Sequence, residues 1–170
     1  MSTCSPIGFS DVSAALKEAM AAVCTPVAVV TTMDGKRPHG TTVSAFASLS
    51  MAPPMILVAL DHRSELLAIL RRTRRFGLNI LGSTQPETAA SFARKGLDKF
   101  AGVAWTCVAG APRLDGAPGW VVCDAASFVE AGDHTVVFAD VRDATSDEGQ
   151  PLTYFRRAFG THALLGSERQ

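Results

Sequence analysis

The sequence predicts a mainly β protein, an antiparallel barrel with flanking helices in one domain. Three observations carry that prediction. Apolar, β-branched runs of strand length recur at residues 27–33, 55–60, 76–81, 120–129 and 135–141. Several of them follow one another through short turns, which suits an antiparallel sheet and not a parallel βαβ one. Helical periodicity is confined to three stretches, residues 10–24, 64–75 and 86–95.

Taken in order, residues 10–24 place Val12, Leu16, Met20 and Val23 on one helical face, with Ser10 or Asp11 as the cap and Pro26 as the stop. VAVVTTM is a buried strand, followed by the tight-turn dipeptide Asp34-Gly35. Pro38 keeps the next residues extended, so the following stretch is the return strand of a hairpin, leading into a loop at residues 50–54. MILVAL is again a buried strand. Ser64 caps a helix with Leu66, Leu67, Ile69 and Leu70 behind it. That helix ends in Arg71, Arg72, Arg74 and Arg75, which either complement the dipole in solvent or bind phosphate. FGLNIL is a short buried strand, and Pro86 opens a helix with Ala89, Phe92 and Ala93 on one side. Residues 96–118 read as loops around a short apolar piece at 105–108. Two long strands follow, joined by Glu130-Ala131-Gly132-Asp133-His134, and residues 152–159 form a last strand.

Composition bounds the function. The 170 residues suffice for one domain, residues 1–170, with a sizeable core. The 16 basic and 16 acidic residues cancel, which argues against binding a nucleic-acid backbone. No run reaches the ~18 apolar residues of a membrane span. MSTCSPIGFSD lacks the charged-then-apolar pattern of a secretory signal, so a cytoplasmic location is expected. Cys4, Cys24, Cys107 and Cys123 form no C-x-x-C pair and no zinc spacing; free buried thiols in a reducing compartment are the simplest reading. G-x-G-x-x-G, the Walker loop, G-x-S-x-G and H-E-x-x-H are all absent.

One stretch is unusual. Between His39 and Asp61 there is no charge, and Thr41, Thr42, Ser44, Ala45, Ala47, Ser48 and Ser50 are all small. A core strand normally fills space with larger side chains. Small hydroxylated residues either serve a close sheet crossing or leave room for a flat polar ligand against the backbone. Gly132-Asp133-His134 is likewise either an ordinary hairpin tip or a histidine presented at a strand entry.

Five motifs in order resemble the short-chain flavin reductase family: TTVSAFASLSMAPPMILVAL, DHRSELL, RFGLNIL, DKFAGVAW and EAGDHTVVFADV. Members are reductase components of two-component flavin-dependent monooxygenases. The resemblance implies an FMN-binding split β-barrel, a homodimer, reduction of free FMN or FAD by NADH (or NADPH), and a separate monooxygenase as partner. It places the S-A-F-A-S stretch along the flavin ring and ribityl chain, with Thr42, Val43, Ser44, Ala45 and Ser48 as flavin contacts. Ser64 suits a phosphate because it opens a helix; Asn79 and Lys99 are further candidates, although such residues usually have structural explanations. Gly132, Asp133 and His134 are associated with the nicotinamide nucleotide, and Tyr154 joins them. The family more usually has a small residue where Arg157 stands. Hydride transfer works by positioning two rings, so no catalytic side chain and no metal are expected. A flavin-binding module without turnover, and a flavoprotein that retains its flavin, are the alternatives.

Overall fold

Buried valines on both sides of one strand locate the core. Ala28 and Val30 join one apolar cluster, and Val27 and Val29 join a second on the opposite face. A strand buried on both faces lies inside a sheet covered on each side. The computed structural model describes residues 9–96 and 98–165. In chain order its elements are α1 (Phe9–Ala21), β1 (Thr25–Pro26), β2 (Ala28–Asp34), β3 (Arg37–Val43), β4 (Phe46–Met51), β5 (Pro54–Asp61) and α2 (Glu65–Thr73). Then follow β6 (Arg75–Ile80), α3 (Pro86–Ala93), β7 (Trp105–Val108), β8 (Ala111–Leu114), β9 (Gly119–Ala131), β10 (His134–Ser146), β11 (Thr153–Phe155) and β12 (Ala158–Gly160).

The main sheet has seven antiparallel strands in the order β3-β2-β6-β9-β10-β5-β4. The two edge strands are consecutive in sequence. This is the mainly antiparallel β architecture with a few helices that the sequence predicts, with the sheet left open between β3 and β4. The residues foreseen as one return strand are in fact two. Val43 pairs with Ala28 on β2, and two residues later the Ala45 carbonyl accepts the Ala59 N–H on β5. Ser44 is the corner where the chain crosses from one edge to the other. The small side chains of Ser44, Ala45, Ala47 and Ser48 are exposed along this corner, so no tight sheet crossing accounts for their size.

Two core clusters sandwich the sheet. Leu66, Leu67 and Leu70 of α2 pack with Val30, Val58, Phe76, Leu78 and Val137. Phe92 of α3 packs with Val29, Leu81, Phe100, Leu114 and Leu152 on the other face. Each buried Leu or Phe contributes about 1.5–3 kcal/mol of apolar transfer free energy. Asn79, fully buried, ties β6 to β2 and β8: its amide donates to the carbonyls of Val29 and Pro112 and to Thr31 Oγ1, and accepts from the Leu114 N–H at 2.7 Å.

Several expectations are corrected. α1 starts at Phe9, so neither Ser10 nor Asp11 is its cap, and it ends at Ala21. Val12, Leu16 and Met20 do share a face, but that face is exposed, and Val23, also exposed, lies beyond the helix end. Residues 111–114, foreseen as loop, pair with β7 as a hairpin. Residues 152–159 hold two short strands joined by Arg156-Arg157, both at positive φ (46° and 66°), a conformation that usually calls for Gly or Asn. The arginine cluster follows the first of its two readings, with Arg71 and Arg72 solvent-exposed in the last turn of α2, and its members are engaged within the chain. Arg71 pairs with Glu130, Arg72 with Asp34 and Arg75 with Asp124, while Arg74 lies over the Phe128 ring. Of the cysteines, Cys123 is buried but Cys24 and Cys107 are exposed free thiols, and Cys4 lies outside the described residues. No helix among the described residues is long and apolar enough to cross a membrane.

Candidate functional site

Gly40 begins the construction of the site. A Cβ there would sit 2.6 Å from the Phe92 ring, so only glycine lets α3 close on β3. Phe92 meets Phe100 edge-on at 5.0 Å between centroids, and Phe100 meets Trp105 in the same way. Buried Phe100 anchors its neighbour Lys99, whose Nζ donates to the carbonyls of Gly40 (3.1 Å) and Phe92 (2.9 Å). An ammonium has three N–H groups, so one remains. Burial pulls the Lys99 pKa below the ordinary lysine value, against the opposing field of Glu65.

Ser64 opens α2 with extended dihedrals (φ −71°, ψ 121°), and its hydroxyl makes no capping bond. The Glu65 and Leu66 N–H groups donate to no carbonyl among the described residues, as expected in a first helical turn. Just upstream, the Asp61 carboxylate takes the Arg63 N–H (2.7 Å), Nε (3.1 Å) and Nη2 (2.9 Å). Those bonds hold the Asp61 carboxyl well below the usual carboxylate range.

These parts enclose one cavity of about 530 Å³, lined by residues 37–41, 61, 63–66, 93–96 and 98–100. Its charged lining comprises five cations, Arg37, Arg63, Arg94, Lys95 and Lys99, against Asp61, Glu65 and Asp98, a surplus of two positive charges. With the first turn of α2 and the unbonded Ser64 hydroxyl, that lining fits an anion. A second depression of about 690 Å³ lies between residues 82–84, 113–118 and 147–150. It gathers none of the residues singled out from sequence, and its arginine, Arg113, is paired with Asp147.

The hairpin tip stands beside the first cavity. Gly132 at φ +65° opens the two-residue turn between β9 and β10. His134 is the register partner of Asp61, and the His62 N–H donates to the Asp133 carbonyl at 3.0 Å. His134 Nδ1 lies 2.7 Å from Asp133 Oδ1, and that bond lowers the Asp133 pKa. With the Asp133 carboxylate ionised, Nδ1 is the donor, and in the neutral imidazole Nε2 is left as an acceptor.

The structure thus brings Ser64, Lys99, Gly132, Asp133 and His134 to one end of the molecule. Ser44, Ala45 and Ser48 follow along the exposed corner, and the N–H groups of Ser44 and Ala45 have no carbonyl partner among the described residues. Four candidates have their side chains engaged elsewhere in the chain. The Thr42 hydroxyl donates to the Ala89 carbonyl at 2.7 Å, turned toward α3. The Val43 side chain is buried in the core, leaving only its backbone. Asn79 is buried with its bonds satisfied within the protein. Tyr154 belongs to the separate β1-β11-β12 sheet, where it packs edge-on against Phe159, and does not line the cavity. Sequence reasoning missed Thr41, Arg63, Arg37 and Lys95. Strand alternation held the signal for Thr41: Gly40 and Thr42 face α3, so Thr41 faces away from it, on the cavity wall.

Comparison with known proteins follows the same outline. Residues 20–163 match the profile of the family described as flavin reductase like domain. The chain is 40% identical over 134 residues to the reductase component of the 4-nitrophenol 4-monooxygenase/4-nitrocatechol 2-monooxygenase of Rhodococcus opacus, covering 79% of this chain and 72% of that one. It is 34% identical over 148 residues to the NADH-dependent flavin reductase StyB of Pseudomonas fluorescens, covering 84% and 86%. Among solved structures, the NADH:FAD oxidoreductase SgcE6 of Streptomyces globisporus C-1027, in complex with NAD and FAD fragments, superposes with a TM-score of 0.87 at 26% identity, covering 96% and 100%.

Proposed function

The chain belongs to the flavin reductase like domain family, and on that premise we propose that it is an NAD(P)H-dependent flavin reductase. It reduces free FMN or FAD, with NADH the favoured donor, and supplies the reduced flavin to a separate monooxygenase. The whole chain acts as one such domain, in the cytoplasm. One observation carries the reading. A cationic cavity, a corner of small exposed residues and a histidine-bearing hairpin tip share one end of the sheet, with His134 paired to Asp61 at the cavity lip.

The bound flavin supplies an electrophilic ring that accepts a hydride from nicotinamide. The chain's own residues bind and orient. Ser64, Lys99 and the first N–H groups of α2 hold the phosphate end. Thr41, on the cavity wall, lies roughly 10 Å of extended chain from Ser44, comparable to the reach of a ribityl chain with its phosphate. The N–H groups of Ser44 and Ala45, without a carbonyl partner among the described residues, would bond the ring edge and offset charge developing there. Small side chains at Ala45, Ala47 and Ser48 would leave room for two rings to stack. His134 Nε2 accepts a hydrogen bond from the nicotinamide carboxamide and transfers no proton. The protein forms a two-fold homodimer; the exposed stripe Val12, Leu16 and Met20 on α1, with exposed Val23 just beyond it, supports a covered face.

The test is NADH oxidation by the purified protein with and without added FMN or FAD. Oxidation that depends on added flavin is expected. Flavin binding with unchanged NADH absorbance would make the chain a carrier module instead.

A further inference from the structure

We propose that Arg63, held in place by Asp61, makes this site select flavins that carry a ribityl phosphate over riboflavin. The inference rests on the reductase reading for the identity of the ligand. It names which part of that ligand the chain discriminates.

Arg63 is 77% exposed by side chain, yet it is not a loose surface arginine. Asp61 fixes its backbone N–H and one edge of its guanidinium, through Nε and Nη2, at once. A guanidinium has five N–H groups. Two are bonded to Asp61, so three remain, and no other partner occurs among the described residues. Asp61 is in turn fixed by the β5–β10 register opposite His134. Both residues line the cavity beside Ser64. A pre-ordered planar fork binds phosphate with little further loss of side-chain freedom, and riboflavin offers that fork only a neutral hydroxyl.

Asp61 has two opposing effects, and their signs separate the hypotheses. Its charge repels an incoming phosphate, whereas its hydrogen bonds aim Arg63. Simple electrostatics makes Asp61→Asn bind FMN more tightly. Positioning makes the same variant bind FMN more weakly.

Binding is read by quenching of flavin fluorescence in titrations with FMN, FAD and riboflavin, without NADH. Arg63→Gln is expected to weaken FMN and FAD roughly three- to thirty-fold and riboflavin by less than about two-fold. Asp61→Asn is expected to lower the FMN-to-riboflavin preference in the same direction, and to add nothing further in the Arg63→Gln background. Equal losses for FMN and riboflavin would make Arg63 a general structural residue and overturn the proposal. So would tighter FMN binding by Asp61→Asn, or an Arg63→Gln variant whose only defect is a raised KM for NADH. Absence of NADH oxidation by the parent, with the FMN preference intact, would sink the reductase reading and leave this inference standing.

Discussion

Asp61 and His134 face each other directly across β5 and β10, the last residue of one strand opposite the first of the next. The loop that opens α2 is therefore stitched to the β9–β10 turn, and His62 adds a second tie through its 2.7 Å contact with Glu130. A cavity suited to an anion and a histidine with a free ring nitrogen are held at a fixed spacing by sheet hydrogen bonds.

His134→Ala follows from that placement. The variant should raise the KM for NADH roughly 2- to 12-fold, the value of one neutral hydrogen bond, and leave flavin affinity nearly intact. Steady-state kinetics at saturating flavin measure it. A KM and a kcat that both match the parent would reduce Gly132-Asp133-His134 to a turn.

Ser44→Leu and Ala45→Leu test the corner. Both side chains are exposed, so stability should stay within about 0.5 kcal/mol of the parent. Flavin affinity should fall on the order of tenfold, because the added volume fills the ring's space. A flavin titration run beside a thermal melt separates the two effects. Unchanged affinity would move the ring elsewhere.

Gly77→Ala tests the packing that supports β6. A Cβ at that position lies 2.1 Å from the Trp120 ring, and Trp120 is itself buried. Overpacking should cost roughly 2–3 kcal/mol, visible as a lower denaturation midpoint. A neutral result would show that Trp120 can shift.

Acid unfolding should report Asp124. Burial raises the pKa of its carboxyl, but bonds from Arg142 and Arg75 outweigh that and hold it below the ordinary aspartate value. A carboxyl depressed in the folded state stabilises the fold above its unfolded value of about 3.9, and the contribution is lost as pH falls through the folded value. The midpoint of thermal unfolding should therefore be level down to about pH 5 and drop below pH 4. Asp124→Asn should flatten that drop and lower stability at neutral pH by on the order of 1 kcal/mol.

Much of the fold was legible because β-branched runs mark buried strands whatever their neighbours. β2, β5, β6, β9 and β10 all fall on such runs, and α2 begins immediately after Ser64 as its pattern requires. What stayed hidden depends on partners distant in sequence. Nothing local distinguishes a continuous strand at residues 40–50 from one that turns a corner at Ser44. β8 carries Pro112, which reads as loop until β7 is seen beside it. The Arg156-Arg157 turn lacks Gly and Asn; the Arg156 N–H bond to the Ala21 carbonyl and the Arg157–Glu18 pair accompany it, neither visible in sequence. Thr42 and Thr41 are equivalent as letters and differ only by which face of β3 meets Ala89.

The corner at Ser44 also bears on how the chain folds. β3 and β4 are separated by two residues in sequence and by five strands in the sheet. Their spatial relation is fixed only after β2, β6, β9, β10 and β5 have all paired, including long-range pairings such as Arg75 with Asp124. High contact order of this kind makes the last closure late in folding. A ligand that bridges the corner and the cavity therefore recognises completed chains alone and stabilises them by mass action. Adding flavin during refolding should leave early collapse unchanged and trap molecules only at the final step.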